Sequence, residues 1–293
     1  MLKGLREVRE QSVVLIGCPI RNRNWIAERY LRGIYDLNYE KSKIILYFLV
    51  NDSTDSTEKI LKSFQAKYKS EYKDIIIEKI RTKAPEYRRL ITKLPTHASK
   101  YWESVYTNIA NLRNKIIDKV LELKCDYWFS VDSDIVLNDP DTLNILLQEQ
   151  KLIISAIINN DQIRNSHLPI QEAACNILNF DEYGKVKHIT GWEMNSTFQV
   201  QITGAVCLYK AEIFKDPNIR FGYSKMGEDI FMAQRILEAG IETWTTSKVL
   251  PEHHMGIMQE ICQKFNNKCK QFSFQDGERK GILVNCPSFI EKV

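Results

Sequence analysis

Asp132 and Asp134 flank a serine at the end of an apolar run, Tyr127-Trp128-Phe129-Ser130-Val131, and the chain turns apolar again at Ile135-Val136-Leu137. Ending a strand on two buried charges is costly unless something compensates. A hard divalent cation that also holds a phosphate-bearing ligand is the common solution. A second acidic pair, Glu228-Asp229, follows Gly227 and opens a helix with Ile230, Ala233, Ile236 and Leu237 on one side, stopped by Gly240. Such a pair either caps the helix or serves as a general base toward a hydroxyl. The helix dipole favours the ionised form, so the sequence predicts a carboxylate that is deprotonated at neutral pH.

These acids need a scaffold, and the first half of the chain alternates strand and helix patterns, as a mainly parallel sheet with crossover helices requires. Strand one is read over Ser12–Cys18, closed by Pro19, and is followed by a helix with Ile26, Tyr30, Leu31 and Ile34 on one face. Strand two is Ile44–Val50. After it, Asp55 and Glu58 have the spacing of a capping box for a helix bearing Ile60, Leu61 and Phe64. Strand three is Ile75–Ile77. Arg81–Trp102 has two prolines and no period, which predicts a mobile or ligand-covering loop. Ile109, Leu112, Ile116, Val120 and Leu123 then recur at helical spacing and feed the acidic strand.

Beyond Leu137 a helix over 141–150 and a strand over 152–158 precede an irregular stretch, Asn159–Thr197, expected to hold short antiparallel pieces. Ile202–Tyr209 reads as a strand in which Gly204 marks a bulge or a close approach by a ligand. Thr243–Thr246 is the last strand before Pro251-Glu252-His253-His254. The expected division is a domain over 1–256 and a basic, partly helical tail over 257–293.

Composition limits the function classes. A chain of 293 residues with 44% hydrophobic content can bury a full core. A net charge of +4 spread over 27% charged residues of both signs is too mild for a nucleic-acid binder. Seven scattered cysteines lack the close pairs of zinc sites and read as reduced thiols. Met1–Gln11 is charged and leads into only a short apolar stretch, so neither a secretion signal nor a membrane span is expected, and the reading is cytoplasmic.

In an open α/β sheet, ligands gather at the carboxyl ends of the strands. That rule sends Pro19 and Arg21, Asn51 and Asp52, and Asp132, Ser133 and Asp134 to one crevice. Carboxylates to read base or ribose, with a cation and an arginine for the diphosphate, suit a nucleotide. Arg113, on the helix before the acidic strand, is a second candidate positive contact.

The set Cys18-Pro19-Ile20-Arg21-Asn22, Asn51-Asp52-Ser53-Thr54-Asp55-Ser56-Thr57, Leu112-Arg113-Asn114, Val131-Asp132-Ser133-Asp134, Gly227-Glu228-Asp229-Ile230 and Glu252-His253 resembles, in this order, the motifs of GT-A fold glycosyltransferases. It is most similar to the collagen hydroxylysine galactosyltransferase domain, and more loosely to family-2 enzymes. The resemblance spans about Val13 to Gly256 and implies a Rossmann-type sheet with a smaller antiparallel acceptor-side portion.

It implies a nucleotide-sugar donor, with UDP-hexose favoured, and a glycan or peptide hydroxyl as acceptor. Nucleotide contacts would come from Pro19, Arg21, Asp52, Arg113, Asp132 and Ser133. The metal would be held by Asp132, Asp134 and His253, although His254 stands beside it. Oxygen ligands suit Mg²⁺ or Mn²⁺, and an imidazole tilts the choice toward Mn²⁺. Asp229 would be the base, with Glu228 orienting it or binding acceptor, and the anomeric configuration would invert.

Three other readings compete. Asp132-Ser133-Asp134-Ile135-Val136 also fits a haloacid-dehalogenase-type phosphohydrolase with Asp132 as nucleophile, but three strands precede it where that fold expects an opening strand. A sugar-phosphate nucleotidyltransferase would carry a glycine-rich, lysine-bearing loop after strand one, and Cys18–Asn24 has no glycine. A silent carbohydrate-binding module has no need of Asp52, the acidic triplet and His253 together.

Overall fold

The computed structural model describes residues 12–83, 98–160, 169–254, 273–275 and 278–280. The chain forms two compact units, one of residues 1–87 with 94–254, the other of 88–93 with 255–293.

The strands of the first unit are β1 (Val14–Ile20), β2 (Ile44–Asn51), β3 (Asp74–Ile80), β4 (Tyr127–Val131), β5 (Ile135–Val136), β6 (Ile153–Ala156), β7 (Asn159–Asn160), β8 (Ile177–Phe180), β9 (Val186–His188), β10 (Thr197–Val200), β11 (Ile202–Thr203), β12 (Val206–Lys210), β13 (Thr243–Thr246) and β14 (Glu252–His253). Among the described residues its α-helices are α1 (Ala27–Tyr35), α2 (Thr57–Tyr68), α3 (Ala98–Glu122), α4 (Thr142–Gln148) and α5 (Glu228–Glu238). One eight-stranded sheet runs β10-β13-β6-β12-β4-β1-β2-β3. β4, β1, β2 and β3 are parallel, whereas β12 lies antiparallel between β4 and β6.

Both faces of the sheet are covered, which is why β2 reads as a continuous apolar run, Ile44 to Val50, rather than as an alternation. Ile44, Leu46, Phe48 and Val50 join one core with Tyr30 and Leu31 of α1, Leu61 of α2 and Leu143 of α4. Ile45, Tyr47 and Leu49 face the other, with Leu112, Ile116 and Val120 of α3 and Met232 and Ile236 of α5. Gly33 lets α1 approach the backbone leaving β5, since a Cβ there would stand 2.8 Å from the Leu137 carbonyl oxygen.

Two small sheets complete the unit. The first, β11-β8-β9, is antiparallel, in keeping with the short pieces expected between Asn159 and Thr197. The second, β5-β14-β7, matters more for function. His253 pairs with Ile135 and with Asn160, which brings the end of the unit back to the acidic turn.

Several boundaries differ from the sequence reading. β1 does not close at Pro19 but runs through it to Ile20. Pro19 pairs with Leu49 of β2, while β4 stops pairing at Ile16, so the missing proline N–H costs no ladder bond on that side. The capping box does not form. Asp55 accepts the Thr57 amide at 3.0 Å, but Glu58 turns to Lys62 and Lys79, each ammonium outcompeting a backbone N–H.

The Arg81–Trp102 loop ends sooner than expected, because α3 begins at Ala98, and 84–97 lie outside the described residues. Ile202–Tyr209 is broken at Gly204-Ala205 into β11 and β12. In the second unit the described residues form a hairpin, β15 (Ser273–Gln275) with β16 (Glu278–Lys280).

Candidate active site

Three loops leave the carboxyl ends of β1, β2 and β4 side by side. Asn22 and Asp52 both have left-handed backbone, φ 50° and 49°, a conformation that Asn and Asp tolerate better than most residues. Asn22 ties the first two loops together: its Oδ1 accepts the Thr54 amide at 2.9 Å and its own amide donates to Ser53 Oγ at 3.1 Å. The Asp52 carboxylate accepts both the hydroxyl and the amide of Thr82, at 2.6 and 3.1 Å. Burial works to raise its pKa, but these bonds and the nearby Arg21 charge outweigh that and hold it below the ordinary value. Pro19 is present through its carbonyl, which accepts from the Ser133 hydroxyl at 3.4 Å.

At the tip of β4 the two aspartates turn to different partners. Asp134 places Oδ1 3.5 Å from His253 Nε2 and Oδ2 3.2 Å from Arg23 Nη2. The cause is the small sheet. β14 lies against β5, and the His254 amide donates to the Asp134 carbonyl at 2.8 Å, so the preceding imidazole stands over the carboxylate. Successive residues of a strand face opposite ways, and His254 points instead to Glu252 at 2.9 Å. Of the two adjacent histidines, it is His253 that the fold brings to the acidic turn.

Asp132 is taken up by Arg113, whose Nη2 reaches Oδ1 at 3.0 Å and Oδ2 at 3.3 Å. The same guanidinium donates to Ser130 Oγ and Glu228 Oε1, each at 3.3 Å, and lies over the ring of Phe221. Arg113 is buried, a placement that composition alone does not suggest. Burial would lower its pKa, but the charges of Asp132, Asp229 and Glu228 keep it protonated.

One arginine thus faces three carboxylates, and that count governs their protonation. Burial raises Asp132, opposed by Arg113 and reinforced by Asp134 and Asp229. Glu228 is raised by burial against the pull of Arg113. Asp229 is raised to about 7, first by burial and then by the charge of Glu228. The expectation that the helix N-terminus keeps Asp229 ionised is therefore corrected. A dipole contribution at a helix end amounts to about 1 kcal/mol, less than the cost of burying a second carboxylate beside the first.

The backbone opposite Asp229 explains how it fits. Gly204 lies so close that a Cβ there would stand 2.8 Å from Asp229 Oδ2. The close approach that the glycine signalled is made by a side chain of the protein itself. The next residue, Ala205, has φ 67°, and Val206 N–H donates to the Gly204 carbonyl at 2.8 Å, the bond pattern of a tight three-residue turn that a non-glycine residue adopts only under strain. The Ala205 carbonyl in turn accepts the Asp132 amide at 2.8 Å. One turn therefore touches both acidic motifs.

Among the described residues, no group of three or more His, Cys, Asp or Glu side chains is arranged to hold a metal. Asp134 and His253 form a two-donor pair, and their 3.5 Å separation is compatible with neighbouring ligands of one ion, which stand roughly 3 Å apart at bond lengths of about 2.1 Å. Magnesium-type ions are ordinarily held by one or two protein groups and completed by substrate phosphates and water, and the pair fits that pattern. Asp132 has both oxygens directed at Arg113.

Arg23 is the residue that sequence reading missed. Arg21 and Arg23 lie two positions apart in one loop; Arg21 stands near Asp52, and Arg23 stands at Asp134.

The eight-stranded sheet with its flanking helices has the GT-A fold. S. aureus TarS 1-349, solved in complex with UDP-GlcNAc, is similar with a TM-score of 0.53 and 12% identity over 83% of this chain and 58% of that one. The mannosyltransferase PcManGT from Pyrobaculum calidifontis, in complex with GDP-Man and Mn²⁺, gives 0.50 and 15% over 86% and 63%. The chain belongs to the Anp1 family, whose model matches residues 3–181. Procollagen galactosyltransferase 1-A of Xenopus laevis is 26% identical over 148 residues, half of this chain and 23% of that protein. The chain thus matches about a quarter of the length of this relative.

Proposed function

We propose that the protein transfers a hexose from a nucleotide sugar, UDP-hexose before others, to a hydroxyl on a glycan or peptide, with a divalent metal and with inversion at the anomeric carbon. The observation that carries this reading is the convergence, near the carboxyl ends of β1, β2 and β4, of a set of polar groups on one side and a largely buried carboxylate of raised pKa on the other. Support also comes from the family, from the relative named a galactosyltransferase, and from fold neighbours crystallised with nucleotide sugars.

In this reading Asp52 with Arg21 and Pro19 with Ser133 receive the nucleoside, and Arg23 stands at the diphosphate. Asp134 and His253 would hold the cation, Mn²⁺ in preference to Mg²⁺ because of the imidazole. When bound there, a divalent ion stabilises the negative charge that develops on the departing diphosphate. Arg113, buried under the site, holds Asp132 and Glu228 in place and keeps their charges compensated.

Asp229 accepts the proton of the acceptor hydroxyl while that oxygen bonds to the anomeric carbon and the bond to the diphosphate breaks. A pKa of about 7 suits this duty, since a base matched to the working pH combines an ionised fraction with proton affinity. A single displacement with one base and no covalent intermediate inverts the configuration.

The test is incubation with a panel of UDP-sugars and Mn²⁺, scored for UDP release, beside a generic phosphomonoester scored for phosphate. UDP release from one or a few sugars is expected. Phosphate release without UDP release would restore the phosphohydrolase reading with Asp132 as nucleophile, which neither the family nor the pairing of Asp132 with Arg113 favours.

A further inference from the structure

Asn176 lies just before β8, far along the chain from every acidic motif, yet it bonds to two strand connections that border the site. Its Nδ2 donates to the Gly204 carbonyl at 2.9 Å and to the Ala156 carbonyl at 3.1 Å. Its Oδ1 accepts the Ile158 amide at 2.9 Å. One amide group thus bonds three backbone groups, one at the last residue of β6 and two in the connections beyond the strands.

What those groups lead to gives Asn176 its interest. The Gly204 carbonyl belongs to the strained turn at Ala205, whose own carbonyl holds the Asp132 amide and whose glycine lies against the Asp229 carboxylate. Ala156 and Ile158 end β6 and lead into β7, and β7 pairs with β14, where His253 sits opposite Asn160. The two sides of the candidate site therefore meet at this side chain, beside the Thr203–Ser155 hydroxyl bond and the β12–β6 ladder that also join them. A turn with positive φ at a non-glycine residue persists only where its surroundings overdetermine it, and Asn176 is one of the groups that do so.

We infer that Asn176 is a positioning residue for the proposed transfer: by clamping the Gly204-Ala205 turn to the β6–β7 connection, it fixes where the Asp132 backbone and the Asp229 carboxylate stand. The inference rests on the reading of Asp229 as the base, but its test needs no substrate, so the two can fail separately.

The experiment uses the full chain with Asn176→Ala and, as a matched control, Asn179→Ala, which removes a bond of similar kind from the Gln201 amide but touches neither connection. Two signals are followed: hydrogen exchange at the Asp132 amide, and the ¹³C carboxyl resonance of Asp229, assigned by its loss in Asp229→Asn. In Asn176→Ala the Asp132 amide should exchange about tenfold faster, the factor expected for losing one net hydrogen bond, and the Asp229 resonance should move. The control should leave both in place, as should the Phe129 amide in the middle of β4 in either variant.

A protected Asp132 amide or an unmoved Asp229 resonance in folded Asn176→Ala overturns the inference. If that variant does not fold, Asn176→Asp, which keeps the acceptor for Ile158 and loses both donations, is read in the same way. If neither folds, Asn176 is structural, and the inference is equally overturned.

Discussion

Replacing Asp229 by asparagine should make the protein more stable while making it catalytically poor, and the gain should grow with pH. An isolated aspartate in the unfolded chain ionises near 3.8, whereas the folded environment holds the Asp229 proton up to about 7. Below both values the two states bind the proton equally, and the residue costs nothing. As pH rises through that interval the unfolded chain loses its proton first, so folding is progressively disfavoured until the full penalty is reached above 7. At about 1.4 kcal/mol per pH unit the interval amounts to a ceiling of about 4 kcal/mol.

Asparagine has nearly the shape of the protonated acid and escapes this penalty. Because Glu228 interacts with Asp229, the measured gain belongs to the pair. Urea unfolding of both proteins from pH 4.5 to pH 8.5 measures it. The variant should exceed the parent by only about 1 kcal/mol at the acid end and by a few kcal/mol at the alkaline end. A difference that does not change with pH would refute the assignment of a buried, compensation-starved carboxylate at this position.

In transfer, the same substitution should lower kcat by about 10²-fold or more while nucleotide affinity stays within a factor of two or so, as expected when only a general base is lost; unchanged kcat would place the base elsewhere. Arg113→Met should destabilise the fold by about 3–5 kcal/mol, because it strips the counter-charge from Asp132 and Glu228 at once, and the loss should shrink on acidification as those carboxylates take up protons. Asp134→Ala should abolish the Mn²⁺ dependence of UDP binding in calorimetric titration, an equal Mn²⁺ effect in variant and parent being the contrary result. His253→Ala should weaken that binding by about tenfold or more, whereas His254→Ala, whose imbalance falls on Glu252, should not.

How far the sequence foretold this arrangement depends on the range of the interaction involved. The strands β1 to β4 and their helices follow from local periodicity, and the parallel sheet then sends Arg21, Asp52 and Asp132 to one edge with no further information. The Asp134–His253 approach is different in kind. It arises because a two-residue strand, β14, pairs with a two-residue strand, β5, and nothing in Ile135-Val136 or Glu252-His253 alone encodes that register. Arg23 escaped notice for a related reason. Its partner lies 111 positions away, and its neighbour Arg21 offered the same charge in the same loop.

Asp229 was located correctly on its helix, yet its protonation was misjudged. The dipole of α5 is a property of local sequence, whereas the competing charge of Glu228 and the closeness of the Gly204 backbone are properties of packing. The glycine did announce an approach. Only the fold says what approaches.

Anomalous scattering from crystals grown with UDP and Mn²⁺ tests the central claim most directly. One manganese peak is expected within coordination distance of the Asp134 carboxylate and His253 Nε2, with the diphosphate oxygens completing its shell. A nucleotide bound without any peak there, or a peak remote from both side chains, would contradict the account.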